Sequence, residues 1–213
     1  MPGVTIASSY GTAGSVIAPA VARELNLPLL DRAISVQVAA QLQVSEQEAQ
    51  AARANRSLAD RFLSLLAPLA GGVLGAGTDA MPGDAMPDLD EADAFREQAE
   101  RVMRAALAGG AVILGRAGAA ALRNEPDVLR VRLFGAEQAR LQHAMRFEQV
   151  DEITATQRLR EVDGAREQYV RRLYRCSVDD PALYHLQIDS TVLPAPTCAQ
   201  IIANAYRSLT AES

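Results

Sequence analysis

The chain has 213 residues, 49% of them hydrophobic, enough for one sizeable core or a core with a small appended subdomain. Its formal net charge of −5 gives no electrostatic reason to expect nucleic-acid binding. All 21 basic residues are arginine, as a GC-rich bacterial genome would favour; this excludes Schiff-base and lysine-clamp chemistry and leaves the planar guanidinium fork for phosphate.

Aromatics are 4% and Trp is absent, so the core must be built from Ala, Leu, Val and Ile. Cys176 and Cys198 lack metal-ligand spacing and read as reduced thiols. His143 and His185 are far apart and read as structural or surface groups. No apolar run reaches the roughly 18 residues a membrane span needs, and the N-terminus has no basic leader. A soluble, cytoplasmic protein without a membrane partner is expected.

In chain order, Val4–Ala7 predicts a first strand, residues 8–15 a small-residue turn, and residues 15–25 an amphipathic helix with Ile17, Val21 and Leu25 on one face. Leu27–Leu30 predicts a brief second strand ending at Asp31. Residues 32–69 read as helices, with a capping box at Ser45 and Glu48 and an apolar stripe from Leu58 to Leu69. Residues 70–89, rich in Gly, Pro and Asp, predict a mobile loop. A helix follows from Asp90 to Leu107, then a buried strand Ala111–Leu114 before Gly115-Arg116. A short helix at 117–123, a strand at 128–134, helices at 136–149 and 153–174, a strand at 184–189 and a helix at 197–209 complete the order. Strands alternating with helices predict an α/β fold, a three-layer, doubly wound parallel sheet of five strands with a helical insertion. The whole chain, residues 1–213, reads as one domain.

Four features carry chemistry. The turn Gly11-Thr12-Ala13-Gly14-Ser15 joins a strand to a helix N-terminus, where backbone amides meet anions. Aligned on GxxxxGK[ST], its lysine position is Gly14 and its Ser/Thr position Ser15, which leaves Ser15 for a magnesium ion or a helix cap; a plain tight turn is the alternative. Arg116, after a buried strand, is placed either to fork onto a phosphate or to pair with a rim carboxylate. Residues 158–175 hold six arginines against Glu161, Asp163 and Glu167, a local net of +3. Most of these serve a solvated face; Arg160 and Arg166, framing an expected bend at Asp163-Gly164, are the candidates for a transferring phosphoryl group. Asp31 is placed to accept from a ribose hydroxyl, to help hold a hydrated metal, or to cap the next helix. The acidic run Asp79, Asp84, Asp88, Asp90, Glu91 and Asp93 lacks calcium-loop spacing and reads as solvated.

In this order the motifs resemble the cytidylate kinase-like family. The resemblance rests on Val4-Thr5-Ile6 with Tyr10-Gly11-Thr12-Ala13-Gly14 and Ile17-Ala18, on Leu27 to Arg32, and on Val112 to Ala119. It continues through Arg160 to Tyr169 and Ile188 to Thr191, covering nearly the whole chain. It implies a P-loop phosphotransferase fold with ATP and Mg2+, a nucleoside monophosphate such as CMP or dCMP as acceptor, and no nucleic-acid partner. It further implies that Arg116 holds the acceptor phosphate, that Arg160 and Arg166 close over the transferred group, and that residues of about 32–109 form an acceptor flap and about 153–175 a lid. The departures are specific. Ser8 and Ser15 stand where the family often has arginine, and Gly14 and Ala117 stand where true cytidylate kinases have Lys and Asp. The expectation is therefore a monophosphate kinase-type transferase of low activity. The alternative is a non-catalytic relative that senses a nucleotide or phosphorylated metabolite or binds a partner; a homodimer is left open.

Overall fold

The computed structural model describes residues 2–31, 89–115 and 117–211, and for residues 89–95 and 98 the backbone alone. Five strands pair in parallel in the order β2-β3-β1-β4-β5: β1 Gly3–Ser8, β2 Leu29–Leu30, β3 Ala111–Leu114, β4 Val128–Phe134 and β5 Leu186–Asp189. The helices are α1 Gly14–Leu25, α2 Leu89–Leu107, α3 Gly118–Ala121, α4 Glu137–Glu148, α5 Glu152–Tyr174 and α6 Ala195–Ala211. No helix among the described residues is long and apolar enough to cross a membrane.

The unbroken apolar run of β3 has the burial its composition demands. Val112 and Leu114 join one core with α1 and α6, while Ala111 and Ile113 join a second core with Met103 and Leu107 of α2. A strand between β2 and β1 has helices on both faces, so it cannot alternate with polar residues. β4, on the other side of β1, does alternate: Leu129, Val131 and Leu133 enter the first core, whereas Arg130 and Arg132 take the other face. There Arg132 pairs with Asp179 and lies over the Tyr184 ring, 5.8 Å from its centroid.

Three expectations change. The second strand is Leu29–Leu30 and not Leu27–Leu30, because the Leu27 amide still closes α1 by donating to Ala22 O. Residues 163–164 make no bend: α5 runs unbroken through them, held down by Leu159, Val162, Tyr169, Val170 and Leu173, and Gly164 has open space where a Cβ would stand. The last strand starts at Leu186, not Tyr184, because the Asp180 side chain caps a one-turn 3-10 helix, Pro181–Leu183, that ends on Tyr184. The expected helices at 32–69 and residues 70–88 of the loop expected at 70–89, with Asp79, Asp84 and Asp88, lie outside the described residues, as does Arg116; Leu89, expected in the loop, opens α2.

Ile113 is fully buried on β3, an interior strand with helices on both faces. Ile113→Ala should lower the unfolding free energy by roughly 2–5 kcal/mol in a denaturant titration, with the slope unchanged. A loss below about 1 kcal/mol, the range of a peripheral site, would contradict the interior placement of β3.

Candidate functional site

β1 ends in the middle of the sheet, and the turn that follows it stands at the carboxyl edge, where parallel α/β sheets take their ligands. The turn is held from within. The buried Ser8 Oγ and Thr12 Oγ1 share a hydrogen bond of 2.8 Å, and Thr12 Oγ1 donates to Ser9 O at 2.7 Å. From the far side Ser190 Oγ, just past β5, donates to Thr12 O at 2.9 Å. Gly11 and Ala13 adopt positive φ (77° and 56°), and Ala13 caps α1 without a side-chain bond. The amides of Gly11, Ala13, Gly14 and Ser15 consequently have no partner among the described residues. Open amides at a helix N-terminus are groups that can meet an anion, and the helix dipole adds to the attraction.

The outside of the turn is bound to the α4–α5 hairpin through Tyr10. Its ring is buried among Leu141, Ala144, Ala155, Leu159 and Val162. Its hydroxyl donates to Glu148 Oε2 at 2.8 Å, an oxygen that Arg158 also reaches at 2.5 Å. Burial, then the Glu148 carboxylate, push the phenol up to about 12, so it remains a donor at any physiological pH. The Tyr10 backbone is held as firmly: its amide donates to Asp163 Oδ1 at 2.9 Å, and its carbonyl accepts from Arg140 Nη1 at 3.0 Å. Arg140 Nη1 also meets Asp163 Oδ2 at 2.6 Å, its Nε donates to Gly135 O at 3.1 Å, and Arg166 Nη1 meets Asp163 Oδ1 at 3.2 Å. Gly11 is required here, since its φ is positive and a Cβ would run into the Arg140 backbone.

The structure thus gathers the 11–15 turn and Arg166 at one edge. Thr12 is buried and its hydroxyl is committed to the turn; Ser15 is exposed in the first turn of α1. Arg160 is exposed on α5, one turn before Asp163. Asp31 is half-buried just after β2, two strands away from β1. Arg140 and Asp163 had no functional place in the sequence reading. A signal existed for the first: the helix after β4 must begin at the carboxyl edge, so an arginine in its first turn falls beside the β1 turn. Among the described residues no three acidic, His or Cys side chains are grouped to hold a metal.

The missing lysine has a steric cause. A Cβ at Gly14 would stand 2.5 Å from Ser8 Cβ and closer still to Ser8 Oγ. Ser8 occupies the first glycine position of GxxxxGK, so the need for a glycine has passed from position 8 to position 14. Gly14→Ala should therefore lower the melting temperature, and adding Ser8→Gly should recover most of the loss. Equal melting temperatures for Gly14→Ala and the unsubstituted protein would refute the interlock.

The model of the cytidylate kinase-like family matches residues 3–192. A solved structure of an uncharacterized protein from Eubacterium ventriosum ATCC 27560 is similar at 19% identity over 97% of this chain and 98% of that one, TM-score 0.64. A gluconokinase from Sinorhizobium meliloti 1021 is similar at 11% identity over 98% and 93%, TM-score 0.50. A shikimate kinase from Acinetobacter baumannii, solved with shikimate, is similar at 15% identity over 98% and 94%, TM-score 0.48. No curated protein sequence matches the chain. The sheet order, its all-parallel pairing and the likeness to the gluconokinase establish a P-loop kinase-like α/β fold, and the chain belongs to the cytidylate kinase-like family.

Proposed function

We propose that the chain binds a nucleoside triphosphate at the 11–15 turn and transfers its terminal phosphoryl group, slowly, to a small acceptor such as a nucleoside monophosphate. One observation carries this reading: four open amides at the N-terminus of α1 beside a cluster of arginines. The amides of Gly11, Ala13, Gly14 and Ser15 would hold the donor phosphates; Thr12 would shape the turn and not touch them. Exposed apolar side chains near the cradle, Val16, Phe134, Val192 and Leu193, offer a surface for a base. Mg2+ would arrive with ATP, and Ser15 Oγ would meet it. The ion would offset phosphate charge.

Arg160 and Arg166 would close over the transferred group, and Arg116 and Asp31 would receive the acceptor. Residues of about 32–109 would form the acceptor flap and 153–175 the lid. No covalent intermediate is needed, because positioning and charge stabilisation suffice for phosphoryl transfer. A second reading, a nucleotide or phosphometabolite sensor without turnover, is favoured by the Ser8 side chain, which leaves no room for a loop lysine.

ATP with Mg2+ at about 100 times its dissociation constant should stabilise the protein by about 2.7 kcal/mol in a thermal-shift assay. Arg116→Ala should weaken binding of the monophosphate acceptor by roughly 1.5–3 kcal/mol while leaving the melting temperature of the free protein unchanged. A melting temperature indifferent to every nucleoside mono- and triphosphate would sink the reading.

Turnover on CMP with ATP should be far below the roughly 10 per second typical of enzymes, since both the loop cation and the acid expected at Ala117 are gone. A rate at that level would refute the low-activity assignment.

A further inference from the structure

We propose that Asp163 is a positioning residue of the donor site, the group that seats the α4–α5 hairpin on the phosphate turn and holds two guanidinium groups beside it. The inference rests on the reading of the 11–15 turn as a phosphate cradle. Asp163 is a single carboxylate bound from three directions: the Tyr10 amide at 2.9 Å, Arg140 at 2.6 Å and Arg166 at 3.2 Å. These partners come from the β1–α1 turn, α4 and α5, so this one side chain fixes their relation. The amide it takes, that of Tyr10, immediately precedes the four open amides and leaves them uncovered.

The consequence concerns charge. The chain has no lysine, and Ser8 bars any side chain at position 14. Positive charge beside the cradle must come from arginines on other elements, and a guanidinium on a long side chain serves only if something fixes it. Asp163 does this while leaving the cluster of Arg140, Arg166 and Asp163 with a net charge of one positive unit. Pure electrostatics would have the carboxylate weaken anion binding; positioning would have it strengthen binding, so the sign of the effect decides.

The test is isothermal titration of Mg-ATP into the full chain and into Asp163→Asn, with melting temperatures and hydrogen exchange of the Tyr10 amide. The side-chain amide of Asn has nearly the same shape but cannot accept from both arginines. The expected result is affinity lower by about tenfold, with faster Tyr10 exchange. Unchanged or tighter binding by Asp163→Asn overturns the proposal while leaving the phosphate cradle standing. Failure of the unsubstituted protein to bind removes the cradle, and this proposal with it. Should Asp163→Asn not fold, Asp163→Glu carries the test: it keeps the charge but shifts it by a methylene. Positioning predicts weakened binding even where the melting temperature is restored, whereas affinity that recovers along with the melting temperature contradicts it.

Discussion

The Tyr10 amide, at the start of a turn near the N-terminus, donates to a carboxylate 153 residues further along the chain. That bond lies where three structural requirements meet. β1 ends at the sheet's carboxyl edge with a turn whose inner face is closed by Ser8 and Thr12, leaving its outer face to be satisfied from elsewhere. The hairpin of α4 and α5 has its own small core, with Tyr10 as its plug. The carboxylate of Asp163 would be a poor group to bury alone, and here it is compensated by an amide and two guanidinium groups. Removing any one partner leaves the others with unmet charge or hydrogen bonds, so turn, hairpin and arginines hold together as one unit.

The same junction would let a lysine-free turn serve as the proposed anion site. In the GxxxxGK pattern a glycine at the first position leaves space beside the lysine position, and the lysine reaches the β- and γ-phosphates. This chain places Ser8 in that space, ties it to Thr12, and thereby fixes Gly14 as glycine. What remains is a turn with four open backbone amides, whose dipoles do not depend on side chains, and arginines on the neighbouring hairpin. Such a site is better suited to holding phosphate than to following charge as it moves onto the leaving oxygen. For that reason we place binding ahead of rate in the proposed function.

How much of this the sequence discloses depends on the range of the interaction. β3 is legible because four apolar residues between a Gly-Gly stop and Gly115 have no other stable place than the middle of a parallel sheet. The β1 turn is legible because glycines and other small residues between a strand and a helix permit the positive φ a tight turn needs. Ser8 against Gly14 is partly legible: the glycine displaced from position 8 to position 14 is visible, but its cause appears only when Cβ positions can be built. The role of Asp163 is hidden altogether, for on a helix flanked by arginines it reads as one half of an intrahelical ion pair. The expected bend at 163–164 fails for the same reason, since Asp-Gly favours a turn locally and a buried stripe from Leu159 to Leu173 overrides it.

The central claim is that the 11–15 turn is an anion cradle formed by its backbone. The most direct measurement is a titration of the isotopically labelled protein with Mg-ATP, followed by the chemical shifts of individual amides. The account predicts that Gly11, Ala13, Gly14 and Ser15 move first and saturate together, while the Tyr10 amide, already bound to Asp163, moves little. Saturable shifts confined to another surface, or none at the turn at concentrations that fill a millimolar site, would contradict it.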